Sequence, residues 1–366
     1  MRKLTGLLLG VAVSTPLRAQ DPLRQQPLKD VERVLARLVQ SYGVSGMEAP
    51  VRAQIEQLLP AGVRPETDSA GNLWVTVGSG EPTVVFIAHM DEIGFRVAGI
   101  RDDGSLDLTP VGGLFPSLWE GQPALIHTGR ATVPGVFMPR DTGDALAARR
   151  TPPELRADVG TTSREATMRL GIRVGNTLTM PKSFVRLANT RATARSFDDR
   201  VGSTAQILAL HRLTRGRRLR HRVIFIWSVR EEIGLEGARA VANKSGLRVA
   251  RVHAIDTFVS ADSPLETRNF GFAPLGRGAV ARALDNSSVT PPAYVDSLIA
   301  VASSRRIPFQ VGTTNGGNDG SVFAVHGVPD VPIGWPLRYS HSPAETIDLR
   351  DVVSLTDMIV GVAQEW

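Results

Sequence analysis

Thr83-Val84-Val85-Phe86-Ile87-Ala88 is a β-branched and aromatic run without a charged residue, and it ends on His89-Met90-Asp91-Glu92. Such a run reads as a strand buried on both faces, the condition of a parallel sheet covered by helices. Two later runs have the same shape. Val223-Ile-Phe-Ile-Trp-Ser-Val229 ends on Arg230-Glu231-Glu232, and Val252-His-Ala-Ile255 ends on Asp256. Helical periodicity alternates with these strands, at residues 202–213, 237–243, 291–304 and 351–362, with strands expected at 222–228 and 249–255. Strand and helix in alternation predict an α/β fold, a doubly wound mixed sheet with helices on both faces.

Upstream, Val31, Val34, Leu35, Leu38 and Val39 recur at helical spacing over 29–40, Gly43-Val44-Ser45-Gly46 stops that helix, and a second spans 49–59. Residues 73–77 and 83–88 flank Gly78-Ser79-Gly80 and read as a hairpin. Between about 93 and 187 the pattern changes to short β-like runs broken by Gly and Pro, including 124–127, 132–137 and 171–179. This predicts a small β-barrel-like insert, residues 92–189, within a discontinuous catalytic domain of 29–91 and 190–366.

Composition narrows the function. A chain of 366 residues that is 42% hydrophobic and 21% charged can bury a large core. Cysteine is absent, so thiolate metal sites, disulfides and a cysteine nucleophile are excluded. The net charge of +6 is concentrated in runs such as Arg215-Gly-Arg-Arg-Leu-Arg-His-Arg222, which read as solvated loop and not as a nucleic-acid surface, because no aromatic-laced basic groove accompanies them. Arg2 and Lys3 precede an apolar run over 4–13 and then small residues to Ala19, the order of a secretory signal over 1–20. Export to a periplasmic or extracellular location is the expectation. No later run is long enough for stable membrane insertion.

The ionisable residues that follow the strands are the chemical signal. Strand carboxyl ends open on the ligand crevice of such a sheet, so His89, Asp91, Glu231, Glu232 and Asp256 can converge. Each also has a purely structural reading. Asp198-Asp199 fits the N-cap of the helix after it, Glu231-Glu232 fits an acidic helix start, and His341 alone carries no signal. Together, two histidines and several carboxylates are what a pair of divalent ions uses, with a spare Glu to take a proton from water.

At these residues the sequence resembles the tetrahedral aminopeptidase family, the glutamyl and deblocking aminopeptidase-like metallopeptidases. The segments that carry the likeness are Ala88-His-Met-Asp-Glu-Ile-Gly-Phe95, Ser196-Phe-Asp-Asp-Arg-Val-Gly202, Val229-Arg-Glu-Glu-Ile-Gly-Leu235 and Arg338-Tyr-Ser-His-Ser-Pro343. Gly43-Val-Ser-Gly46, Asp158-Val-Gly160 and Ser163-Arg-Glu165 also fit, so the likeness runs from about 30 to 360. It implies a phosphorylase/hydrolase-like sheet, two divalent ions (zinc, with cobalt or manganese as alternatives), peptide substrates and a homo-oligomer between dimer and dodecamer. It further implies that His89 and Asp256 bind one metal, Glu232 and His341 the other, that Asp198 bridges them, that Asp91 orients His89, and that Glu231 is the general base.

Departures from the family pattern are Arg230, where Gln is usual, the segment Thr313-Thr-Asn-Gly-Gly-Asn-Asp319, and Trp335 with Leu337. They bear on which terminal residue is removed. Two rival readings share the motifs: another hydrolase on the same metals (deacylase, carboxypeptidase-like or glycosidase), and an inactive exported binding protein. Glycoside hydrolysis ordinarily uses two carboxylates and no metal pair. His127, His211, His221, His253 and His326 read as structural or solvated, and neither Ser321 nor Ser342 sits in a nucleophile elbow.

Overall fold

The computed structural model describes residues 22–140, 154–216, 218–244, 247–260, 262 and 271–366. The first strands are β1 (Glu66–Thr67), β2 (Leu73–Val77) and β3 (Thr83–His89), and the later ones that join them are β12 (Arg222–Ser228), β13 (Arg251–Val259), β14 (Ala279–Leu284), β15 (Phe309–Thr313) and β16 (Ile333–Leu337). They form one eight-stranded sheet in the order β1-β2-β12-β3-β13-β16-β14-β15. β3 runs parallel to both β12 and β13, whereas β2 and the β14–β16 pair add antiparallel contacts, so the sheet is mixed.

Alternation along β3 explains why the sheet needs two helical layers. Val84, Phe86 and Ala88 join one hydrophobic cluster, with α1 (Pro22–Val39), α4 (Phe197–Arg215) and α7 (Leu349–Glu365). Val85 and Ile87 join the other, with α5 (Glu236–Ala242) and the 3-10 helix Asp319–His326. Every residue of β3 is buried, and each large apolar side chain removed from water in this way contributes roughly 1.5–3 kcal/mol. α2 (Ala49–Leu58) and α6 (Pro292–Arg305) complete the helical cover, on the α1 and α7 sides respectively.

The expected hairpin over 73–88 does not form. β12 lies between β2 and β3, antiparallel to the first and parallel to the second. Val223, Phe225 and Trp227 supply the apolar contacts that a direct β2–β3 pair would lack, and the Phe86 and Phe225 rings stack at 5.3 Å.

The barrel lies between β3 and α4 in the chain. It is closed by β4 (Gly94–Ile100), β5 (Leu106–Val111), β8 (Arg156–Asp158), β7 (Thr132–Phe137), β6 (Pro123–His127) and β9 (Thr177–Thr179), with the short helix α3 (Arg164–Arg169) beside them. It has its own core, in which Phe95, Trp119 and Phe137 pack with ring centroids 5.1–5.4 Å apart. A three-stranded sheet of β10 (Val185–Arg186), β11 (Arg191–Ala194) and β17 (Glu345–Asp348) then leads into the site: Ala194 pairs with Glu345, which brings the start of α4 beside the loop carrying His341.

Candidate functional site

Register assembles the site. His89 pairs with Ser228 across β3 and β12, and Ile87 pairs with Ala254 across β3 and β13, so Asp256 comes level with His89. Asp198 occupies the centre. Its Oδ1 is 3.0 Å from His89 Nε2 and its Oδ2 is 3.5 Å from His341 Nε2. Glu232 Oε2 lies 3.4 Å from the same His341 nitrogen. Ligand atoms of His89, Asp198 and Asp256 all fall within 4.8 Å of one another, as do those of Asp198, Glu232 and His341. Glu231 belongs to neither group, yet its Oε2 is 3.9 Å from His89 Nε2.

The two structural readings of the acidic pairs are settled residue by residue. Asp199 does cap the helix: its Oδ1 accepts from Gly202 N at 2.7 Å, and its Oδ2 accepts from His89 N at 3.1 Å. A Cβ at position 202 would stand 2.3 Å from that Oδ1, which is why the cap requires glycine there. Asp198, with non-helical φ/ψ of −76° and 107°, instead faces the histidines. Glu231 and Glu232 do not begin a helix, since α5 starts at Glu236. Their backbone N–H groups donate to Asp91 Oδ1 and Oδ2 at 3.0 and 3.1 Å. Asp91 also accepts from Ser45 Oγ at 2.6 Å and stands 3.5 Å from His89 Nδ1, so it fixes the glutamate turn more closely than it holds the imidazole.

Glu345, Asp319 and Arg282 are the residues that the sequence reading missed. Glu345 accepts from the backbone N–H groups of Asp198 and His341 at 3.2 and 3.0 Å, clamping both segments. Its signal was a carboxylate four residues after the motif histidine. Asp319 accepts from Ser228 Oγ at the end of β12. Arg282 is a charged residue inside the apolar strand β14, and its Nη1 is 3.2 Å from Asp256 Oδ2.

Burial of so many carboxylates together disturbs their protonation. Desolvation pushes Glu231 well above the usual carboxylate range, with Asp256 and Glu232 adding to it, and Glu232 reaches about 7 by the same desolvation and the nearby Asp198. Burial opposes charge on the histidines, but the facing carboxylates win. Glu231, Asp198 and Asp91 raise His89 well above its ordinary value, and Glu232 and Asp198 bring His341 to about 11. The imidazolium charges in turn hold Asp198 low despite its desolvation.

A cavity of about 410 Å³ opens on this cluster, walled by Phe115, Leu235, Val259, Asn315, Gly316 and Ser340 among others. Of the departures noted in the sequence, only the 313–319 segment reaches it. Arg230 turns away to pair with Glu236 at 2.6 Å, and Trp335 and Leu337 are buried in the main core. His127, His211, His253 and His326 bond to Thr179, Leu58, Val331 and Asn243 respectively, away from the cluster.

A family model described as M42 glutamyl aminopeptidase matches residues 71–358. The chain belongs to the M42 glutamyl aminopeptidase family. It is 29% identical to the lysyl aminopeptidase of Pyrococcus furiosus over 91% of this chain and 96% of that one. To the glutamyl aminopeptidase of Lactococcus lactis it is 27% identical, over 86% and 90%. Its structure matches the TET1 peptidase of Pyrococcus horikoshii with a TM-score of 0.82 and 30% identity, covering 93% of this chain and 100% of that one; that peptidase can assemble into a tetrahedron or a large octahedral shell. This M42 protein is a peptide hydrolase, a metal-dependent aminopeptidase, with the mixed sheet and closed barrel of the tetrahedral aminopeptidases.

The expectation of export is corrected. Residues 1–20, assigned to a leader, lie outside the described residues. The relatives matched are aminopeptidases aligned along nearly the whole chain, and they give export no support. A basic pair before a short apolar run is a compositional pattern only, too slight to outweigh relatives that match along nearly the whole chain. Among the described residues, no helix is long and apolar enough to cross a membrane.

Proposed function

We propose that the enzyme removes the first residue of peptides at a pair of metal ions, one held by His89 and Asp256, the other by Glu232 and His341, with Asp198 between them. The observation that carries this reading is the division of the Asp198 carboxylate, one oxygen facing each histidine. The donor chemistry fits: imidazole and carboxylate with no thiolate suit zinc, which we propose as the resident ion, and also cobalt or manganese. Protons on His89 and His341 now neutralise carboxylates that divalent ions would neutralise instead.

When bound, the ions would acidify a water and polarise the scissile carbonyl. Glu231 receives the water's proton on a carboxylate oxygen and passes it to the leaving amine. It belongs to neither ligand group, yet its Oε2 lies 3.9 Å from His89 Nε2, the position of a group that takes a proton from a water at the ions. Asp91 fixes the glutamate turn and backs His89, while Glu345 keeps the Asp198 and His341 backbones in place. The cavity seats the terminal side chain. Residues 92–189 form the barrel insert of a catalytic domain made from 29–91 and 190–366, and the chain assembles into a homo-oligomer, as its Pyrococcus horikoshii relative does.

Glu231→Gln tests the reading. The variant is expected to keep two ions per chain and lose on the order of 10²- to 10⁴-fold in kcat on aminoacyl-nitroanilides. Unchanged turnover would remove Glu231 from the mechanism.

A further inference from the structure

We propose that Arg282 makes the two metal positions unequal, weakening the one at His89 and Asp256 relative to the one at Glu232 and His341. This rests on the two-metal reading above and concerns how the chain's own charges distribute affinity between the positions. Arg282 is 2% exposed and completely engaged at its terminal nitrogens. Nη1 lies 3.2 Å from Asp256 Oδ2 and donates to Thr257 O at 2.8 Å. Nη2 reaches Asp285 Oδ2 and Gly317 O, each at 2.9 Å. The guanidinium is therefore fixed against the back of Asp256.

Asp256 has little left to give. Its Oδ1 accepts from Thr257 N at 2.5 Å while its Oδ2 shares charge with Arg282. Glu232 has no such competitor: among the described residues its single ion-pair partner is His341, at 3.4 Å, itself a proposed ligand. Asp198 serves both positions and cannot distinguish them. Each position adds one histidine and one carboxylate of its own; of the two carboxylates only Asp256 stands beside a buried arginine, and a buried cation there opposes a second one. Asp285 moderates this effect by holding the other side of the guanidinium.

The consequence is a tightly held ion at Glu232 and His341 and an exchangeable one at His89 and Asp256.

Calorimetric titration of the chelated full-length protein with zinc chloride tests this, joined to anomalous diffraction from crystals given one equivalent of zinc. The wild type is expected to bind two ions with dissociation constants at least about tenfold apart, the first ion appearing beside His341. Arg282→Gln should tighten the weaker step by about tenfold and leave the stronger one unchanged. Asp285→Asn should shift the weaker step in the opposite direction, because it frees the guanidinium toward Asp256. If Arg282→Gln does not fold, the Asp285→Asn titration and the one-equivalent diffraction still decide the matter. Equal steps in the wild type, a first ion beside Asp256, a weaker step further weakened by Arg282→Gln, or one unmoved or tightened by Asp285→Asn would overturn the inference while leaving the two-metal site intact. A wild-type protein that binds no zinc would instead overturn the metal reading itself.

Discussion

Glu92 and Asp198 are both deeply buried carboxylates beside the end of β3, yet one is ringed by lysine and arginine and the other by two histidines and further carboxylates. Glu92 accepts from Lys182 Nζ at 2.9 Å, from Gly43 N at 2.7 Å, and from Arg195, Arg200 and Ser196. Desolvation would raise its pKa, but Arg195, Lys182 and Arg200 hold it far below the usual range. Around Asp198 the neighbours are His89, His341, Glu231, Glu232 and Asp256, and the glutamates are pushed up instead. The first cluster is neutralised from within the chain and closes the fold, tying the 41–45 loop, the barrel exit at Lys182 and the start of α4 to the turn that follows His89. The second is left short of positive charge, which is the condition of a site that binds cations.

Glu92→Gln attacks the self-sufficient cluster most severely. Three buried cations would lose their counter-charge, and we expect a loss of about 3–5 kcal/mol in urea unfolding of the chelated protein. A loss under about 1 kcal/mol would show that the cations find other partners and that the two clusters differ less than their geometry implies.

Acidity should separate the clusters next, because Glu92 and Glu232 are shifted in opposite directions. Glu92 is depressed in the folded state, so its stabilisation is present above the unfolded value of about 4.3 and is lost as pH falls through its folded value. Glu232 is raised to about 7, so the chelated protein loses stability as pH rises from about 4.3 to about 7 and that carboxyl is forced to ionise. His341, raised to about 11, must give up a proton to bind an ion. Added zinc should therefore raise the melting temperature more at pH 8 than at pH 6. An increment that shrinks with pH would break the comparison.

The smallest effect should come from Arg230, the departure that looked most consequential in the sequence. Its partly exposed pair with Glu236 lies off the cavity, so Arg230→Gln should change stability by less than about 1 kcal/mol and leave kcat/KM unaltered. A marked change in terminal-residue preference would return Arg230 to the pocket.

How much of this was legible beforehand follows from where the information lies. β3, β12 and β13 were readable because a strand buried on both faces is a continuous apolar run, and the ends of β3 and β12 announced His89, Glu231 and Glu232; Asp256, expected just past its strand, lies inside β13, which continues to Val259. The false hairpin over 73–88 was a matter of partners: local turn chemistry says nothing about a strand arriving from residue 222 to sit between its arms. By residue type alone Asp198-Asp199 read as a cap; the resemblance singled out Asp198, and the hydrogen bond from Gly202 N identifies Asp199 as the cap. The bond of Glu345 to Asp198 and that of Arg282 to Asp256 join groups remote in sequence, so these roles appear once Ala194 meets Glu345 and β14 pairs with β16.

Anomalous diffraction at the zinc edge from zinc-saturated crystals tests the central claim most directly. The account predicts two peaks per chain, one touching His89 and Asp256, the other Glu232 and His341, with Asp198 contacting both. A single peak, or a pair in which Asp198 touches one ion alone, would contradict it.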